Sequence, residues 1–301
     1  MSAAARHLLF TLAVLAGCAS GPPAGDLAGR LWDVRAERFI TEAELVARLR
    51  PARYRLLGEV HDHPAHHAMR AGLLARLAPA EVFFEQFDRE HDGALREAQR
   101  SGADADALAR AGRMEKSWNW PLYRPLVEAA LGARLPVRAA NLSTADARRI
   151  AKAGVLGAED APLMEVLARA DWSEARDRAM RTAIIDGHCG MLPERAAPGM
   201  ALSQRARDAA LARALAASGE PAVLIAGNGH VRRDLGVPAY LPRDAEVLSV
   251  GLLETRPGDT DPRDYTRGAD GGPAYDFIWF TAPHPRPDPC AAFKKRPAGS
   301  G

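Results

Sequence analysis

The stretch "LLGEVHDHPAHH" (Leu56–His67) decides the fold, because it changes character within a few residues. An apolar run ends in Gly58-Glu59, and four of the nine histidines then fall within seven positions. Pro64 stands where proline opens a helix, and His66, His67, Met69, Leu73 and Leu77 follow along it. A buried strand, a polar turn and a helix in succession form half of a βαβ unit.

The same alternation continues along the chain. "RYRLLGE" (53–59), "AEVFFEQ" (80–86), "LPVRAAN" (135–141), "PAVLIAG" (221–227) and "AEVLSVGLLE" (245–254) are strand candidates. "YDFIWFT" (275–281) reads as a last strand, suited to an edge. Nearly continuous apolar character predicts strands covered on both faces. Helical spacing fills the intervals: a helix carrying Pro125 in its opening turns, a long region over 158–186, and another over 199–217 that stops at Ser218-Gly219. The fold class is α/β, a mostly parallel sheet flanked by helices, with a helical cap (142–218) inserted between the third and fourth strands.

Ligands of open parallel sheets bind beyond the carboxyl ends of the strands, and polar residues collect there. Glu59 and His61 follow the first strand, Glu85 ends the second, Asn141 the third, and "GNGH" (Gly227–His230) the fourth. One strand-end glutamate reads as a helix cap; four polar strand ends in a row read as a shared site. Two carboxylates and two imidazoles suit a metal with nitrogen and oxygen ligands, for which His61, His66 and His230 are the candidates. Without metal, a carboxylate can orient an imidazole that takes a proton from water. The residues alone leave both open. "HHAMR" is not H-E-x-x-H, "GNGH" lacks the spacing of a nucleotide loop, and no G-x-S-x-G elbow occurs.

Two further stretches stand out. "SWNWPLYRP" (117–125) crowds two tryptophans and Tyr123, either as a hydrophobic anchor or as a flat wall for a planar ligand. "DGHCGMLPE" (186–194) interrupts a helical region and reads as a loop facing a pocket, with Met191 and Met200 as soft lining.

The 301 residues are 47% hydrophobic, enough for one large core or two small ones. Forty basic residues against 38 acidic ones leave no field to gather nucleic acid. All the basic residues except Lys116, Lys152, Lys294 and Lys295 are arginines, whose planar forks suit ligand carboxylates. "MSAAARHLLFTLAVLAGCAS" opens the chain with Arg6, a short apolar stretch and small residues before Cys18. It reads as a secretory signal (1–17) ending in a bacterial lipobox, so that Cys18 carries the lipid and 18–30 is a tether. The body (31–282) is then a single α/β domain and 283–301 a Pro-rich tail. Cys189 and Cys290 remain, free to pair in an oxidising compartment or to stay as thiols.

Taken together, "LLGEVHDHPAHH", "EVFFEQFDR", "WNWPLYRPLVEAA", "AANLS", "DGHCGMLPE" and "AGNGHVRRDLGVPAYL" resemble the ChaN-type haem-binding lipoproteins of Gram-negative bacteria. The resemblance runs from about Leu56 to Leu241 and includes the lipobox. It implies a lipoprotein anchored in the outer membrane, a homodimer binding haem through a tyrosine, and a role in iron uptake or storage with an outer-membrane haem receptor as partner. Tyr123 and Tyr240 are the candidate ligands, with His188, Met191 and Lys116 as further haem contacts. The wider group includes the Tiki/TraB proteases and the erythromycin esterases. The esterases use a Glu, a His, a second Glu and a later His without metal, the order of Glu59, His61, Glu85 and His230, although Glu-x-His departs from their spacing. The resemblance thus carries a second expectation, a hydrolase that is either metal-dependent or esterase-like. A third is a scaffold that holds a transporter partner.

Overall fold

The computed structural model describes residues 26–114, 118–256, 258–288 and 290–291. The signal sequence, Cys18, Lys116 and the end of the tail lie outside the described residues.

In chain order the elements are β1 (Leu31–Asp33), β2 (Arg38–Ile40), α1 (Glu42–Leu49), β3 (Tyr54–Leu57), α2 (Pro64–Leu77), β4 (Glu81–Asp88), α3 (Asp92–Arg100), α4 (Ala105–Ala111) and α5 (Trp120–Gly132). There follow β5 (Val137–Asn141), α6 (Thr144–Ala153), α7 (Ala161–Arg169), α8 (Glu174–Gly187), α9 (Ala197–Ser218), β6 (Ala222–Ile225), α10 (Asn228–Val231), β7 (Val247–Glu254) and β8 (Phe277–Thr281). The strands form one sheet in the order β2-β1-β8-β7-β3-β6-β4-β5. From β8 to β5 every pairing is parallel; β1 joins β8 antiparallel, and β2 joins β1 antiparallel.

Strand β8 is therefore not the edge that its sequence suggests. The hairpin β1–β2 covers its free side, pairing Leu31 with Trp279 and Asp33 with Phe277. Those strands of three residues are too short to show a period of two. The helical region expected over 158–186 is divided between α7 and α8, because Ser173 caps α8 by accepting from the Arg176 N–H.

Period-two alternation separates the two faces of the sheet. Tyr54, Leu56, Phe83 and Leu224 face one way, against Ala206, Ala209, Leu211 and Leu215 of α9 and Ile150 of α6. Leu57, Val82, Phe84, Val223 and Ile225 face the other, against Leu73 and Leu74 of α2 and Leu126 and Val127 of α5. The inserted helices thus form one of the two covering layers. Because β6 returns between β3 and β4, the carboxyl ends of β3, β6, β4 and β5 lie side by side, and the chain places its polar residues there. No helix among the described residues is long and apolar enough to cross a membrane.

After β8 the chain crosses the same rim. The His63 Nε2–H donates to Ala282 O (3.0 Å), and Arg286 pairs with Asp62 and Glu254. Cys290 then joins Cys189, in the turn after α8, through a disulfide.

Helix α9 crosses α6 closely at Gly199, where an added Cβ would stand 2.2 Å from Ala151 O. Gly72, in α2, has open space in that direction. Gly199→Ala should cost about 1–3 kcal/mol through overpacking, while Gly72→Ala should stabilise by about 0.5–1 kcal/mol. Urea denaturation of the two variants checks the contrast.

Candidate functional site

Glu59, just beyond β3, is the hub of the first half of the site. One carboxylate oxygen, Oε1, accepts from the His61 Nδ1–H and from the Tyr123 O–H, both at 2.8 Å, and from the Gln86 side chain at 3.3 Å. The other, Oε2, is ion-paired with Arg70. Arg70 is 0% exposed, lying between α2 and the sheet. Its guanidinium also donates to His67 Nδ1 (3.1 Å), whose Nε2–H in turn donates to His61 O (3.0 Å). Burial lowers the pKa of His67 to about 4, so it is neutral and bridges Arg70 to the His61 backbone.

Glu85 is the hub of the second half. The pairing of β4 with β5 shifts register between Phe84 and Asp88, at the point where Glu85 and Gln86 leave for opposite faces. Glu85 Oε2 accepts from the Gly227 N–H at 2.7 Å, and Oε1 lies 3.3 Å from His230 Nε2. The opposite ring nitrogen, Nδ1, donates to Asp208 of α9 at 2.6 Å. Burial alone would lower the pKa of His230, but Glu85 and Asp208 outweigh it and push it up to about 10. Burial likewise opposes the charge on Glu85, yet His230 holds it well below the usual carboxylate range. Burial raises Asp208 to about 6. An imidazolium clamped between two carboxylates results.

The two halves meet at Gly227. A Cβ there would stand 3.0 Å from His61 Nε2 and 3.6 Å from Glu85 Oε2, so glycine lets the imidazole ring approach the second carboxylate. A cavity of about 570 Å3 opens at this point, lined by Glu59, His61, Glu85, Asn141 and His230 with Trp118 as a wall. His61 is the accessible member, its side chain 47% exposed and its ring edge-on to Trp118. Because Glu59 takes the proton on Nδ1, Nε2 carries the lone pair, and among the described residues it has no hydrogen-bond partner. The residues of four strand ends expected to share a site, Glu59, His61, Glu85, Asn141 and His230, are thus brought together. Asp208, Gln204, Arg70 and Gln86 join them without having been expected.

The expected metal set does not converge. His66 accepts from the Val60 N–H at Nδ1 and meets Thr281 Oγ1 at Nε2, 2.8 Å away, behind the rim. Burial lowers its pKa to about 3. It therefore holds the turn, and His63 stacks on it with ring centroids 3.9 Å apart. Among the described residues no three His, Cys, Asp or Glu side chains form a metal-binding group. His188 and Met191 also stand apart from the cavity. The turn after α8 points outward, leaving Met191 44% exposed and bonding His188 Nδ1–H to Ile184 O.

The two tyrosines differ sharply. Tyr123 is buried on α5, and losing its proton would set a phenolate against the Glu59 carboxylate. Tyr240 lines a larger cavity, about 1010 Å3, between α7, the end of α9 and the start of β7. Its oxygen accepts from Arg205 Nε (3.2 Å), and its ring stacks on Trp172. Burial and the Asp208 charge raise the Tyr240 phenol, and Arg205 offsets them only in part. Arg169, Arg176, Arg213, Arg233 and Arg243 line the same cavity. Arg176, Arg233 and Arg243 answer Asp270, Asp276 and Asp171, whereas Arg169 and Arg213 have no acidic partner among the described residues.

A mostly parallel open sheet covered by helices on both faces, with two cavities on its α9 side, defines an α/β fold. The family of haem-binding uptake proteins of the Tiki superfamily, ChaN, matches residues 45–241, more than half of the chain, and the chain belongs to that family. Its fold is similar to that of ChaN of Campylobacter jejuni, solved with cofacial haem, at 18% identity and a TM-score of 0.68, over 83% of this chain and 95% of that one. More distant likenesses are the type III effector HopBA1 (14% identity, TM-score 0.45, 80% and 92% covered) and an erythromycin esterase, EreC (14%, 0.43, 78% and 81%). No curated protein matches.

The clamp on His230 predicts a pH dependence. A raised pKa in the folded chain means that the stabilisation is complete below the ordinary value of 6.5 and is lost as pH rises through about 10. Wild-type stability should therefore fall over that window with a slope that His230→Gln makes shallower by up to about 1.4 kcal/mol per pH unit. Urea unfolding between pH 7 and 10 measures the difference in slope.

Proposed function

We propose that the protein binds ferric haem in the cavity beside Tyr240, for haem or iron uptake or storage. Family membership supplies the ligand class. One observation carries the placement: a tyrosine bonded to a guanidinium lines a basic cavity in which two arginines lack carboxylate partners among the described residues. A phenolate is a ligand for ferric iron, and Arg205 partly offsets the burial and the Asp208 charge that oppose that form of Tyr240. Arg169 and Arg213 suit the two propionates of a haem. Tyr123, by contrast, is committed to Glu59.

The finer reading places the protein at the outer membrane of a Gram-negative bacterium, anchored through acylated Cys18 after removal of 1–17. It acts there as a homodimer alongside a haem receptor. In such a dimer the half-buried His188 and the exposed Met191 reach haem only on the second copy, from the outward-facing turn.

Hemin titrated into the protein should give the charge-transfer absorption of a tyrosinate–iron bond. Tyr240→Phe should abolish that band while Tyr123→Phe keeps it. Replacing Arg169 and Arg213 together with Gln should raise the Kd about tenfold, two exposed charge pairs contributing up to about 1 kcal/mol each. A band that survives Tyr240→Phe would refute the placement.

A further inference from the structure

The segment that crosses the rim after β8 lines neither cavity. We infer that the Cys189–Cys290 bond is a redox latch: exchange with a dithiol opens it and frees this strap from the rim, releasing the turn that carries His61.

The sequence makes the strap stiff and keeps it out of the sheet. Pro283, Pro285, Pro287 and Pro289 alternate with His284, Arg286, Asp288 and Cys290. A proline fixes its own φ and removes an N–H, so such a stretch cannot extend a ladder. Pro283, Pro285 and Pro287 are exposed, while His284 and Arg286 are half-buried against the rim. The bonds made there are all polar. The His284 N–H donates to Glu254 Oε1 (2.9 Å), and Ala282 O accepts from His63. Arg286 donates to both Glu254 oxygens (2.6 and 2.7 Å) and to Asp62 Oδ2 (2.8 Å). Asp62 and His63 follow His61 directly, so the strap fastens the turn of the strand-end site.

The far end of the strap is held by the disulfide, and a thiol can reach it. Both cysteines are half-buried, with Gly190 and Asp288 exposed beside them. Neither cysteine, and no described residue of the strap, belongs to an apolar cluster of the core. Reducing the bond therefore removes an anchor and leaves the sheet and its covering helices packed. The turn after α8 also favours the opened form. Cys189 stands at φ +59°, in the left-handed region that suits glycine, and Gly190 follows at +69°. A non-glycine residue keeps such a backbone only while its surroundings hold it there, and the bond to Cys290 is one of those holds.

The exchange balances with a dithiol as the reductant. One of its thiolates bonds to Cys290 Sγ, and the electron pair of the S–S bond leaves on Cys189 Sγ, which takes up a proton. The second thiol of the reductant then bonds to the first, displacing Cys290 Sγ, which is protonated in turn. Two electrons and two protons reach the protein, and the dithiol becomes a disulfide. Oxidation reverses these steps and fastens the strap again.

The test uses the full chain with dithiothreitol, and reads the thiols of Cys189 and Cys290 by alkylation and peptide mass spectrometry. Reduction of the folded protein should proceed within about tenfold of the rate in the urea-unfolded chain, as an accessible bond requires. Hydrogen exchange in the reduced protein should then speed up at least about tenfold at His284 and Arg286 and over residues 60–63, while the amides of β6 stay protected. Cys189→Ser combined with Cys290→Ser should give the same pattern without reductant. Arg286→Gln in the oxidised chain should loosen residues 60–63 while the disulfide stays closed. A reduction rate limited by global unfolding, or loss of β6 protection on reduction, would make the bond a staple of the whole fold and overturn the latch. Unchanged exchange over residues 60–63, in the reduced chain or in Arg286→Gln, would overturn the link to the His61 turn.

Discussion

The buried ion pair of Arg70 and Glu59 is the constraint on which the strand-end site depends. Removing two charges from water costs several kcal/mol per ion, and the attraction between them repays this only when the remaining hydrogen bonds are satisfied. Here the remaining partners of the pair are the groups that define the site: His61, Tyr123, Gln86 and His67. A hydrophobic pair in the same volume would pack as well, but it would not fix the imidazole of His61. The charges serve orientation, and the helix α2 that carries Arg70 follows the Gly58-Glu59 turn by only a few residues.

Much of this architecture is legible in the sequence. Continuous apolar runs give the six parallel strands, Pro64 opens α2, and Gly219, with φ +74°, closes α9. The strand-end residues Glu59, His61, Glu85, Asn141 and His230 are visible because polarity follows each run abruptly. Other parts are hidden for physical reasons. Asp208 lies in "QRARDAALAR", which reads as a solvated helical face, and only the tertiary packing of α9 turns it toward His230. Arg70 looks like any helical arginine until the helix lands on the sheet. His66 and His67, adjacent on α2, turn to different neighbours: His66 to Thr281 behind the rim, His67 to Arg70 and the His61 backbone at the site. Clustering in sequence does not specify what each ring meets. The hairpin of β1 and β2 is set by its pairing with β8, a contact distant in sequence.

One helix serves both cavities. Gln204 and Arg207 of α9 line the strand-end cavity and Asp208 holds His230 there, whereas Arg213 lines the arginine-rich cavity and Arg205 bonds the Tyr240 oxygen. A shift of α9 along the sheet would therefore disturb His230 and Tyr240 together. The close passage at Gly199, where α9 rests on the backbone of α6, opposes such a shift near the end of the helix nearest Gln204. The two cavities accordingly share a helix while being lined by different residues of it.

The bond between Cys189 and Cys290 closes a covalent ring across a sequence separation of 101 residues. Inside that ring lie α9, β6, β7 and β8, and with them Asp208, His230 and Tyr240. A single peptide-bond cleavage anywhere within it would nick the chain without releasing a fragment. The two pieces would remain one molecule until a reductant arrived. By restricting the unfolded chain, a ring of this size also contributes about 4–5 kcal/mol, so durability of the fold is tied to the thiol chemistry of its surroundings.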